Sequence, residues 1–143
     1  MLMGQHAEYG KRLLADMAGK HFTDDWEVTS VKYRGGTSAH IDGVIGEDCA
    51  IEIEARVDKQ VRGALVDLLL HHCSKKLLVL IPAWMNQPEN SKEQCKGILY
   101  TLKRPSDEVQ VVLLQGTGDN PMPEKDKALL KAALLELGVI LPD

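Results

Sequence analysis

Three acids, Asp42, Glu52 and Glu54, have the types and spacing to hold a cation and activate water. They lie in the stretch 40–62, HIDGVIGEDCAIEIEARVDKQVR, where two β-patterned runs meet at an acidic turn and lead into a helix. In the first run Ile41, Gly43 and Ile45 alternate with His40, Asp42 and Val44; in the second, Ala50, Glu52, Glu54 and Arg56 alternate with Ile51, Ile53, Ala55 and Val57. With Gly46-Glu47-Asp48 as the loop, Ile45 pairs with Cys49. That register sets Asp42 opposite Glu52, and His40 opposite Glu54, on the face turned away from the core. A slip by one residue would bury the carboxylates and expose the isoleucines.

Like charges facing each other across a strand pair, with Cβ atoms ~5 Å apart, repel by on the order of 3 kcal/mol at an effective dielectric near 20. Solvation of the face or protonation of one carboxylate relieves this, and so does a bound cation. Three converging acids suit a hard divalent ion, Mg²⁺ or Mn²⁺, which takes a few oxygen ligands and keeps several waters. Just downstream, Asp58 is a good N-cap for a helix from Lys59 to about Cys73. Its N-terminus favours an anion such as a phosphate, with Gln60 and Arg62 as donors.

The arrangement resembles the PD-(D/E)xK nuclease superfamily, the restriction-endonuclease-like fold, in which an Asp and an acid-x-Lys sit on two neighbouring strands. The likeness covers about residues 1–82 in element order and these few residues in motif. Ile41 precedes Asp42 where the family often has proline, and Glu54 stands where the family usually has Lys, as in a minority acid-x-acid variant. The resemblance implies a metal-dependent phosphodiesterase acting on DNA. Asp42 and Glu52 then bind Mg²⁺ or Mn²⁺ with Glu54 as a further ligand or as the group orienting the attacking water, and the Ile53 carbonyl is an added ligand. Lys59 would bring an ammonium to the site from a different element, and Glu8, on the first helix, is the candidate for the acid that this helix contributes in some members.

The positioning elements follow from periodicity. Residues 5–19 read as an amphipathic helix ended by Gly19, and 26–33 and 37–45 as strands joined at Arg34-Gly35-Gly36, making an antiparallel meander with 50–57. After the helix from Lys59, Leu77 to Pro82 is an uninterrupted apolar strand, parallel to the one before it. A helix N-capped by Ser91 runs to about Leu102, Val109 to Leu114 is a further buried strand, and a helix from about Glu124 to Leu137 is capped by Gly138. The sum is one α/β domain over 1–143 with a mixed sheet, in the order α-β-β-β-α-β-α-β-α. Ile51, Ile53, Leu68, Leu69, Leu78 and Leu80 are expected in its core.

Composition narrows the alternatives. The chain is 44% hydrophobic and 27% charged, so one globular core is expected and disorder is not. Its longest apolar run, Leu77 to Trp84, is too short to span a membrane, and Met1–Gly4 leads into a charged helix, so a cytoplasmic protein is expected. Three cysteines without a C-x-x-C pair read as buried thiols, and His71-His72-Cys73 lacks a fourth zinc ligand. A net charge of −4 speaks against a surface wholly devoted to nucleic acid, although Lys32, Arg34, Arg56, Lys59, Arg62 and Lys103-Arg104 could border one cleft. Trp84 is expected to cover the end of the core, with stacking on a base as its alternative.

Two rivals stand beside the nuclease: a catalytically silent nucleic-acid-binding or assembly module, and a nucleotide or small-molecule binder using the turn Gly116-Thr117-Gly118. That turn lacks both a G-K-[ST] ending and a full G-x-G-x-x-G, and a plain connecting loop is the simpler reading. A homodimer is favoured only because a small nuclease needs two copies to cut both strands.

Overall fold

Two runs set the frame, CAIEIE and KKLLVL, because pairing them in parallel forces both faces of each under helices. A computed structural model describes residues 4–56 and 58–142, without the side chains of residues 58–60. Helix α1 (Gln5–Ala18) closes on Gly19, whose φ of 55° lies in the left-handed region that glycine tolerates. After a 3-10 turn come β1 (Phe22–Thr23), the short helix α2 (Trp26–Thr29), β2 (Ser30–Lys32), β3 (Ser38–His40), β4 (Gly43–Ile45) and β5 (Cys49–Glu54). Then follow α3 (Asp58–Leu70), β6 (Lys75–Leu80), α4 (Pro88–Leu102), β7 (Glu108–Leu113) and α5 (Pro123–Glu136).

The main sheet has the order β1-β4-β5-β6-β7, with β5, β6 and β7 parallel and β1 and β4 antiparallel to their neighbours. A separate two-stranded sheet pairs β2 with β3. On one face of the main sheet, Ile51, Ile53, Val79 and Val112 pack under α1 and α5 through Leu13, Leu14, Leu130 and Leu134. On the other, Val44, Ala50, Leu78, Leu80 and Val111 pack under α3 and α4 through Leu65, Leu68, Cys95 and Leu99. The expected core residues are buried except Leu69, which is only partly covered.

From β5 onward the order of helices and strands is as expected, and the front of the chain needs correction. Residues 26–33 are a helical turn followed by a short strand: Thr29 donates its backbone N–H (3.0 Å) and its hydroxyl (3.1 Å) to the Asp25 carbonyl, which closes the turn. The run 37–45 is broken at Ile41 and Asp42, so β3 joins β2 in the small sheet while β4 joins the main one. The place of the missing meander strand is taken by β1, where Phe22 pairs with Ile45 and lays its ring over Gly43, which has no side chain; a Cβ on Gly43 would meet that ring at 2.5 Å. Helix α4 begins at Pro88, whose fixed φ suits a first helical position, so Ser91 lies inside the helix and not at its cap.

The β4–β5 register is Ile45↔Cys49, Val44↔Ala50 and Gly43↔Ile51, as the three-residue loop requires. The expectation that the acid face is turned away from the core is overturned. All six residues of β5 are buried, with Glu52 and Glu54 only 7% and 4% exposed, because the face they share with Ala50 lies under α3. Among the described residues no helix is long and apolar enough to cross a membrane.

Candidate functional site

Beyond Gly43 the β4–β5 ladder does not simply fray; the Asp42 side chain continues it. Its backbone N–H donates to the Ile51 carbonyl (3.1 Å) and to Glu52 Oε1 (3.0 Å), and its own Oδ2 accepts the Ile53 N–H at 2.7 Å. Asp42 and Glu52 are thereby fixed side by side, as the register predicts. His40 does not face Glu54 across a ladder, since it pairs with Ser30 in the small sheet. It nevertheless lines the same groove, about 620 Å³ in volume, together with Asp42, Glu52, Glu54, Arg56 and Asp67.

Electrostatics divides the acids. The Glu52 carboxyl is pushed far above the usual carboxylate range, first by burial and then by the charges of Asp42, Asp67 and Glu54. Glu52 therefore carries a proton at neutral pH unless a cation replaces it. Glu54 is treated differently: Arg56, two residues along the same strand, donates from its backbone N–H (3.0 Å), from Nε, and from a terminal guanidinium nitrogen (2.8 Å). This forked pairing holds Glu54 against the strand and satisfies both of its carboxylate oxygens. The three acids share one groove without gathering their oxygens tightly; among the described residues, the ligand atoms that lie within 4.8 Å of one another are those of His71, His72 and Cys73.

That trio is committed elsewhere. His71 Nε2 donates to the Val28 carbonyl (2.8 Å) and its Nδ1 accepts the Cys73 N–H (3.1 Å), so neither ring nitrogen keeps a lone pair for a metal. Burial also pushes the Cys73 thiol up to about 11 and the Cys49 thiol up to about 12.

The basic residues scatter. Arg62 lies on the far side of α3, in a hollow with Val61, Leu65, Gln94 and Ile98, and does not line the acid groove. Lys59 and Gln60 stand in the first turn of α3, and their side chains lie outside the described residues. Arg104 does not border the groove: it pairs with Asp107 (2.9 Å) and donates to the carbonyls of residues 71–73. Glu8 pairs with Arg12 (3.6 Å), and α1 reaches the groove through His6 and Ala7 instead.

Three groove residues were not legible as site members. Asp67 shares a helix face with Gly63 and Ala64, whose small size opens the groove in front of it, and it accepts a hydrogen bond from the Tyr33 hydroxyl. His40 lies with its Nδ1 3.2 Å from the Ile41 carbonyl, to which it can donate. Trp84 does not cover the core; it is 61% exposed and lines the groove.

The glycine turn is occupied by the protein itself. Buried Asp126 accepts the N–H groups of Gln115 (2.7 Å) and Gly116 (2.9 Å), and His6 Nδ1 accepts that of Gly118 (3.0 Å). Glycine is needed because the turn presses on its neighbours: a Cβ on Gly118 would stand 2.6 Å from the Gln5 carbonyl oxygen. Donors already engaged in this way do not cradle a phosphate. No protein-family model, curated protein or solved structure matches the chain.

Proposed function

We propose that the groove is the active site of a phosphodiesterase acting on DNA, dependent on Mg²⁺ or Mn²⁺, in a restriction-endonuclease-like domain. The observation that carries this reading is the pair of half-buried Asp42 and buried Glu52, held side by side by backbone N–H groups in an acidic groove with Glu52 driven to hold a proton. The donor set fits a hard cation: carboxylate oxygens, with a proton on Glu52 that a divalent charge would displace. Asp42 and Glu52 would hold the ion, with the Ile53 carbonyl and Glu54 as further candidates. When bound, such an ion supplies a water of lowered pKa and neutralises charge on the scissile phosphate.

The remaining roles belong to groups at the groove. Arg56 fixes the Glu54 carboxyl by a forked pairing, so Glu54 would orient a water by accepting its hydrogen bond, and the exposed guanidinium would meet a phosphate oxygen. His40, which lines the same groove, would be the candidate to accept a proton from that water. Lys59, near the start of α3, remains a candidate for holding phosphate, together with Gln60; Arg62 is set aside because its hollow opens elsewhere.

A second reading is favoured by one observation. The Arg56 fork satisfies Glu54 without any cation, which suits a silent DNA-binding or assembly module of the same fold. The two separate in one experiment: wild type and Asp42→Asn are incubated with Mn²⁺ and linear, nicked, flapped and single-stranded DNA. The nuclease reading expects cleavage of at least one substrate by wild type and at least a hundredfold less by Asp42→Asn. Metal-loaded wild type that binds DNA and cuts nothing assigns the silent module.

A further inference from the structure

Two exposed tryptophans flank the groove, and we infer that they grip unpaired bases of a DNA single strand, so that the site takes single-stranded or frayed DNA in preference to intact duplex. This rests on the DNA reading above and names its substrate class. Trp84 leaves the end of β6 and meets the His6 ring edge-on, with centroids 5.5 Å apart and an interplanar angle of 80°. Trp26 opens α2 and tilts over His40, with centroids 4.9 Å apart, and it is 54% exposed. Both histidines line the groove, one reached from the β6 side of β5 and the other from the β4 side, with Glu52 and Glu54 on the strand between. These are the chain's two tryptophans, and each is more than half exposed.

Charge and size point the same way. Proteins that grip duplex draw most of their affinity from Lys and Arg on several phosphates. The described groove lining sets Arg56 against Asp42, Glu52, Glu54 and Asp67, in a chain of net charge −4. Stacking on an aromatic face needs no positive potential and works for any base. A volume of about 620 Å³ is that of a pocket for a small ligand, which suits a nucleotide or two and not a double helix.

Because both tryptophans flank the groove, intrinsic fluorescence of the full chain reads the proposed contact directly. A short oligothymidylate strand, titrated in Ca²⁺ buffer, is expected to quench emission saturably, while a blunt duplex of the same length needs at least tenfold more. Trp84→Leu or Trp26→Leu should weaken strand binding about tenfold, the loss expected for one stacked base, and Trp84→Phe should restore most of it. Duplex binding as tight as strand binding, absence of quenching, or unchanged affinity in both Leu variants would overturn the inference. Strand binding with quenching but no Mn²⁺-dependent cleavage upholds the inference and removes the nuclease. Cleavage of blunt duplex unaffected in both Leu variants removes the inference and leaves the nuclease standing.

Discussion

At the start of β6 the Lys76 ammonium is fully enclosed and donates to the carbonyls of Leu68 (2.7 Å), Leu69 (3.0 Å) and His71 (2.7 Å), the last turn of α3, with Asp107 at 3.5 Å. Asp107 also receives Arg104, so every donor and acceptor there is matched and the helix end is neutralised by a cation. At the other end of the same strand pair, Glu52 is buried to a similar degree among Asp42, Asp67 and Glu54, with Arg56 committed to Glu54. Both ends bury ionisable groups under α3, and only one of them meets its group with an opposite charge. Balanced buried charge reads as a staple, while an excess of one sign in a groove reads as a place kept for something else.

The largest effect is expected from breaking the balanced end. Lys76→Ala removes the side-chain donor from the Leu68 and Leu69 carbonyls, leaves that of His71 to Arg104, and removes one of the two cations on Asp107, so it should cost about 3–5 kcal/mol in urea unfolding. A loss below about 1 kcal/mol would mean that the two ends do not differ in kind.

The unbalanced end is sharpened by adding charge. Since an ion at Asp42 and Glu52 must displace the Glu52 proton, Mn²⁺ affinity should rise with pH. At roughly a hundredfold excess over Kd the ion should stabilise wild type by about 2.7 kcal/mol and Asp42→Asn hardly at all, read as a shift in thermal midpoint. An equal response in Asp42→Asn would place the site elsewhere, and a response that falls with pH would remove Glu52 from it.

The sequence shows the β5–α3–β6 unit and the Ile45–Cys49 register because a three-residue loop and two runs of isoleucine and leucine leave one arrangement. The burial of Glu52 and Glu54 is harder to read. Alternation of Glu with Ile signals a half-exposed strand, and it is the parallel partner β6 that brings α3 over the acids. The strand expected at 26–33 fails where W-E-V-T, rich in β-formers, is overruled by Thr29 bonding back to Asp25. Arg56 shares the alternation of the acids and so is visible as a neighbour, but its fork onto Glu54 depends on side-chain rotamers that no spacing encodes. Asp67 enters the site only through the angle at which α3 crosses the sheet.

The smallest effect tests the origin of the imbalance. The folded pKa of Glu52 lies above its unfolded value, so between the two the native state holds a proton that the unfolded chain has released, and stability falls as pH rises. The decline from one proton is at most about 1.4 kcal/mol per pH unit. Glu52→Gln keeps the oxygen that accepts the Asp42 N–H and cannot titrate, so in metal-free buffer it should match wild type near pH 5 and exceed it by on the order of 1 kcal/mol at pH 6. Parallel stability curves for the two proteins across that range would show that Glu52 is not the group under strain, and the contrast with Lys76 would then rest on geometry alone. An advantage that widens with pH, and that Mn²⁺ reverses by stabilising only the wild type, would tie the strain at Glu52 to the ion it is proposed to bind.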